Sequence, residues 1–231
     1  MNGKYDIILF DADRTLYDFD RGEEHALVTL MDSIGHPLTD EMYGFYRRTN
    51  KALWDAFERG EREKSTIAPT RFRIFFEKYG IGLDWNKAAA DYLDLLSDQR
   101  FLLPGAFELC SRLYGKFDMY IVTNGMGNVQ TGRFSKSELF PFFKGLFISE
   151  TLGAAKPDPQ FYDSALASIG DPDRRRILAV GDSPAADIRG ANNAGLDACY
   201  FSPEGLELPE GVWAKYTVRT LEEIGDILLG E

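Results

Sequence analysis

Six short apolar runs, at residues 6–10, 119–122, 145–148, 177–180, 198–201 and 216–218, are mostly continuous rather than alternating. A strand that is apolar at every position has no face to give to water, so it belongs in a sheet covered on both sides. Amphipathic segments at 105–114, 159–169 and 184–194 separate the runs, and the last leads into Gly195, a natural left-handed C-cap. Alternating strand and helix specify an α/β fold with a right-handed, Rossmann-like doubly wound parallel sheet.

Residues 17–103 break this rhythm. They hold no convincing strand, but show helical patterns at 23–34, 39–59, 66–79 and 85–97, separated by Gly35-His36-Pro37, a charged stretch at 60–64 and Gly80-Ile81-Gly82. Trp54, Phe57, Phe72, Phe75, Phe76 and Trp85 fall here at helical spacing and read as the block's own core. The domain reading is a core of residues 1–16 and 104–231, with 17–103 inserted as an all-helical cap.

Composition excludes several functions. The 231 residues carry 26 basic and 37 acidic side chains, a net charge of −11. Nucleic acid polymers and anionic membranes call for basic surfaces, so neither is expected as a partner. Cys110 and Cys199 lie far apart in apolar segments and read as small buried hydrophobes. With only His25 and His36 present, a His-rich zinc site or a Ser-His or Cys-His hydrolase is not expected. No charged leader with an apolar stretch opens the chain and no run approaches membrane-spanning length, so the cytoplasm is the expected location.

In an open α/β sheet ligands gather at the carboxyl ends of the strands. Four runs here end in polar groups suited to one task. Asp11-Ala12-Asp13-Arg14-Thr15 places two carboxylates two residues apart after a buried strand. Such a pair repels unless a cation sits between its members, and an aspartate nucleophile beside an aspartate acid/base and a hard metal ion suits phosphoryl transfer. An Asx turn closing the strand is the alternative. Thr123 and Asn124 follow the second run and could hold a phosphate oxygen, or cap the next helix. Lys156, ahead of Pro157 and Pro159, is held rather than free and could stabilise a phosphoryl group, although a lone lysine is usually a solvated charge. Asp182 and Asp187 follow the fourth run, and hard oxygen ligands in this number suit Mg²⁺. Asp187 taken alone could merely complement a helix dipole.

Gly125-Met126-Gly127-Asn128-Val129-Gln130 imitates a dinucleotide fingerprint. Its sixth position is Gln130 instead of Gly or Ala, and it lies in mid-chain, so that reading is rejected.

The ordered set Asp-x-Asp-x-Thr, strand-Thr-Asn-Gly, Lys-Pro and Gly-Asp-Ser-x-x-x-x-Asp, spread over the whole chain, resembles the haloacid dehalogenase superfamily of aspartate-nucleophile phosphatases. The resemblance implies that Asp11 attacks phosphorus, and that Asp13 protonates the leaving oxygen and then deprotonates water. Thr123, Asn124 and Lys156 would hold the phosphate. Mg²⁺ would sit between Asp11, the Asp13 carbonyl and Asp182, with Asp187 behind or bridged by water. Asn50-Lys51-Ala52-Leu53-Trp54, Leu103-Pro104-Gly105-Ala106 and Asp171-Pro172-Asp173-Arg174 resemble the pyrimidine 5′-nucleotidase branch. That branch often has Glu where this chain has Arg14. The expected substrate is a small phosphorylated metabolite, a nucleoside 5′-monophosphate with pyrimidine preference, chosen through Arg14, Asn50, Lys51 and Trp54. Sugar phosphates and phosphoglycolate stand as alternatives, with a phosphomutase, a phosphonatase using Lys51, or a non-catalytic module behind them.

Overall fold

The computed structural model describes residues 4–231 and divides into two compact units, Met1–Phe19 with Arg100–Glu231, and Asp20–Gln99. The first unit is built on strands β1 (Ile7–Phe10), β2 (Asp118–Thr123), β3 (Gly145–Ile148), β4 (Ile177–Gly181), β5 (Asp197–Phe201) and β6 (Tyr216–Val218). All are parallel, in the order β3-β2-β1-β4-β5-β6. β1 is central, with Phe10 level with Ile121 on one side and Val180 on the other. The order reverses direction at β1, so the crevice beyond its carboxyl end is where this topology places a ligand.

β1 to β5 each feed two cores, which explains their apolar runs, whereas β6 gives Tyr216 and Val218 to one. Ile8, Phe10, Ile121, Leu178 and Val180 point to one face, with Leu109 and Cys110 of helix Ala106–Leu113 and Ile224 of helix Leu221–Leu229. Ile7, Leu9, Val122, Ile177 and Ala179 point to the other, with Phe161 and Leu166 of helix Pro159–Ala167. Both cysteines are buried, as expected of small hydrophobes. The sequence reading did not mark helix Leu221–Leu229, although Thr220 caps it by accepting from the Glu223 amide at 3.3 Å.

The second unit contains helices Phe19–Ser33 (from Asp20 onward), Asp40–Glu58, Ile67–Tyr79 and Trp85–Ser97. Thr39 and Asp84 cap the second and fourth, and Gly80, in the left-handed region at φ 64°, ends the third. Its centre is aromatic. Tyr46 meets Phe75 edge-on with centroids 5.9 Å apart, and Phe72 lies 5.3 Å from Tyr92. Phe72, Phe75 and Phe76 belong to this core as expected, whereas Trp85 is exposed on the first turn of its helix and Trp54 and Phe57 are only half-buried. Among the described residues no helix is long and apolar enough to cross a membrane.

Candidate active site

The carboxyl ends of β1, β2 and β4 deliver Asp11, Thr123 and Asp182 to one end of the sheet, and Lys156 joins them from the loop after β3. The Lys156 ammonium is buried and donates to Asp11 Oδ1 at 2.7 Å, Asp187 Oδ1 at 2.6 Å and the Val122 carbonyl at 2.9 Å. Three donors meet three acceptors, so the buried cation is fully satisfied. Burial by itself would lower its pKa, but Asp11 and Asp187 outweigh that and raise it, so Lys156 stays charged.

Asp187 is aimed by a single π-helical turn at Pro184–Ile188, in which the Ile188 amide reaches back to the Ser183 carbonyl at 3.2 Å. Such turns recur at functional sites. The Asp187 Oδ2 accepts from the Ser183 amide at 3.0 Å, so both carboxylate oxygens are engaged. Gly181 makes this possible, because a Cβ there would lie 2.4 Å from the Asp187 carboxyl. Asp11, Asp182 and Asp187 each offer an oxygen within 4.8 Å of the other two. Three carboxylates against one ammonium leave two negative charges in excess. Burial, with Asp187 and Asp13 adding to it and Lys156 opposing, pushes Asp11 up to about 7. Burial and the Asp11 charge likewise raise Asp182 well above the ordinary carboxylate range. An all-oxygen, over-negative cluster of this size fits a hard divalent cation.

One expectation changes in detail. Asn124 was expected on phosphate, but its amide donates to the Lys156 carbonyl at 2.8 Å and its oxygen accepts from the Lys156 amide at 2.9 Å. Its side chain is spent on fixing the lysine's backbone. Thr123 is buried and accepts from the Gly125 amide at 3.0 Å, which shapes the turn after β2. Arg14 sits in the left-handed region at φ 62°, within the turn closed by Tyr17 N–H to the Ala12 carbonyl, and its guanidinium lies 4.9 Å from the Phe19 ring centre.

The remaining three candidates belong to the helical unit. Asn50 is buried, donating to Glu23 Oε1 at 2.6 Å and accepting from Arg71 Nη1 at 2.6 Å. It therefore bridges two buried charges, and the expectation that it contacts a base or sugar gives way to an internal role. Lys51 is exposed and ion-paired with Asp55 at 2.7 Å, one turn along its helix. Trp54 packs edge-on to Phe57 at 5.7 Å.

Two residues of the site escaped the sequence reading. Gln130 Nε2 donates to Asp13 Oδ2 at 2.7 Å, and Arg133 Nη2 donates to Asp13 Oδ1. Both lie on helix Gly127–Ser135, and the residue that spoils the dinucleotide fingerprint is the one that reaches Asp13. Their spacing of three on one helix marks a shared face, but nothing local in the sequence ties them to Asp13.

This parallel sheet, with paired aspartates after its central strand and a buried Lys–Asp cluster beside them, defines a class of hydrolase. The model of the haloacid dehalogenase-like hydrolases matches residues 5–195, and the chain belongs to that family. It is 37% identical over 225 residues to the HAD-hydrolase YfnB of Bacillus subtilis, covering 97% of this chain and 96% of that one. It is 36% identical to the pyrimidine 5′-nucleotidase PynA of Streptococcus pneumoniae (97% and 95% covered) and 34% to the pyrimidine 5′-nucleotidase YjjG of Escherichia coli (97% and 98%). A crystal structure of YfnB bound to magnesium superposes with a TM-score of 0.92 at 37% identity, covering 97% of this chain and 99% of that one.

Proposed function

We propose that this hydrolase is a Mg²⁺-dependent phosphomonoesterase that acts on nucleoside 5′-monophosphates, with a preference for pyrimidines. The observation that carries the reading is the buried Lys156 ammonium between Asp11 and Asp187, with Asp182 beside it and Asp13 two residues on. Asp11 and Asp182, with the Asp13 carbonyl, would hold the metal, and Asp187 would support it from the Lys156 side. When bound, the ion supplies charge that neutralises the carboxylates and the transferring phosphoryl group.

Asp11 is the nucleophile. Its Oδ1 is fixed by Lys156, which leaves Oδ2 to attack phosphorus and form an aspartyl-phosphate while the ester bond to the leaving oxygen breaks. Lys156 keeps its proton throughout and offsets negative charge on the phosphoryl oxygens. Asp13 gives a proton to the departing oxygen, then takes one from the water that hydrolyses the acyl-phosphate and restores Asp11. A carbon–halogen displacement needs no such acid, so the presence of Asp13 favours an ester substrate.

Nucleotide preference rests on the two pyrimidine 5′-nucleotidase relatives at 34–36% identity over nearly the full chain. A second reading, a sugar phosphate, has support from the glyceraldehyde 3-phosphate phosphatase of Pyrococcus furiosus, 30% identical over 96% of this chain. Phosphate release with and without Mg²⁺ across nucleoside monophosphates and sugar phosphates tests both. Pyrimidine monophosphates should rank first; preference for a triose or pentose phosphate would select the second reading, and no turnover of any ester would overturn both.

A further inference from the structure

We infer that Arg133 and Gln130 are positioning residues that aim the Asp13 carboxylate, an inference that rests on the phosphomonoesterase reading above. Asp13 accepts from Gln130 Nε2 at 2.7 Å through one oxygen and from Arg133 Nη2 through the other. Arg133 Nη2 also donates to Gln130 Oε1 at 2.9 Å, so the three side chains close a ring. A carboxylate has about four lone-pair sites, so each Asp13 oxygen keeps one for a substrate or a water.

The clamp is itself rigid. The Arg133 guanidinium lies 4.5 Å from the Tyr17 ring centre, and the Tyr17 backbone bridges both Asp13 and Leu102. Gln130 can lie across the turn after β2 only because residue 125 is glycine, where a Cβ would come within 2.0 Å of Gln130 Nε2. Arg133 and Gln130 are both buried, at 2% and 3% exposure, whereas Asp13 is partly open. Burying a guanidinium is unfavourable, and Arg133 Nε finds no hydrogen-bond partner among the described residues. An aliphatic side chain would fill this space without that cost, so packing alone does not account for the charge. Holding Asp13 does.

General acid help matters most when the leaving oxygen is a poor leaving group. A misaimed Asp13 should therefore hurt alkyl phosphates more than nitrophenyl phosphate, whose leaving group departs with little help. Acid–base assistance of this kind is worth about 10²–10⁴-fold, and losing aim rather than the group should forfeit about 10–100-fold. Arg133→Met and Gln130→Leu should lower kcat on an alkyl phosphate by about that factor with KM little changed, and the loss on nitrophenyl phosphate should be about tenfold smaller. Arg133→Lys should restore part of the loss, since it keeps the charge but not the forked geometry. In crystal structures of the variants the Asp13 carboxylate should leave its present rotamer. Equal losses on both esters, a change in KM alone, or an unmoved Asp13 would overturn the inference. If the unmodified protein hydrolyses neither ester, the functional reading fails, and the position of Asp13 in the variants still decides whether Arg133 and Gln130 aim it. Should Arg133→Met not fold, Gln130→Leu carries the same test.

Discussion

Lys156 and the carboxylates around it set the electrostatics of the site, and residue-level predictions follow from them. Asp11→Asn keeps the shape and an acceptor for Lys156 but removes the nucleophile, so turnover should fall about a thousandfold or more while circular dichroism is unchanged. Near-normal activity, with deamidation excluded, would remove Asp11 from the role. Burial holds the Asp11 carboxyl up at about 7, against an ordinary carboxylate value near 4. A raised carboxyl pKa means that the folded state binds the extra proton, so its contribution to stability is full below about pH 4 and is lost as pH rises through about 7. Thermal unfolding in a chelator should therefore show Tm dropping over that window from this group, and Mg²⁺ should oppose the drop. Asp182→Asn, which removes a buried charge with a raised pKa, should raise the metal-free Tm and abolish the Mg²⁺ increment. Asp187→Asn should reduce the increment less, because both Asp187 oxygens already serve Lys156 and Ser183. A flat pH profile, or the reverse ranking of the two variants, would contradict the assignment.

At the scale of elements, the π-turn after β4 and the helix pairs of the second unit each hang on a few contacts. Gly181→Ala would drive a methyl into the Asp187 carboxyl, and should cost about 1–3 kcal/mol as well as most of the activity. Urea unfolding and an activity assay on the same sample would check both. In the helical unit, Asn50 links Glu23 on one helix to Arg71 on another. The Arg71 guanidinium also lies 4.8 Å from the Tyr92 ring centre and 4.9 Å from that of Tyr46. Arg71→Leu removes the buried positive charge from the network that holds Glu23, and should destabilise by about 3–5 kcal/mol. Adding Glu23→Gln should recover part of that loss, since the two substitutions act on one network. Strict additivity in urea unfolding would show that Asn50 does not couple them.

For the whole molecule, the informative fact is how the chain leaves the sheet unit and returns. The Asp18 amide donates to the Phe101 carbonyl and the Leu103 amide to the Leu16 carbonyl, each at 2.9 Å, with Tyr17 and Leu102 bridged between them. The two crossings are thus tied to each other within the sheet unit, and a short linker could join them. Replacing residues 20–99 with a Gly-Ser linker should leave a folded α/β unit that still releases phosphate from an aryl ester but no longer ranks nucleotides by base. Retained pyrimidine preference in that protein would move specificity into the sheet unit; failure of the unit to fold would show that the helical insert supplies part of its stability.

All six strands were legible in the amino-acid sequence as short apolar runs, most plainly where burial on both faces leaves an unbroken apolar signature, and each differs by at most a residue or so at its ends. The carboxylates that follow β1 and β4 were legible for the same reason, since a charge after a buried strand stands out. Other features depended on contacts between residues distant in sequence. The partners of Asp13 lie 117 and 120 residues away, so no local pattern announces Gln130 or Arg133 as its neighbours. Asn124 reads as a phosphate ligand until the loop carrying Lys156, 32 residues on, presents its backbone to it. Asn50 likewise reads as a contact to base or sugar until Glu23 and Arg71 engage its amide. Local sequence determined which segments are strands and helices and which residue types end them, through periodicity and capping. Only the tertiary structure decided which of those polar groups meet, because pairing a buried polar group depends on what the fold brings within about 3 Å of it.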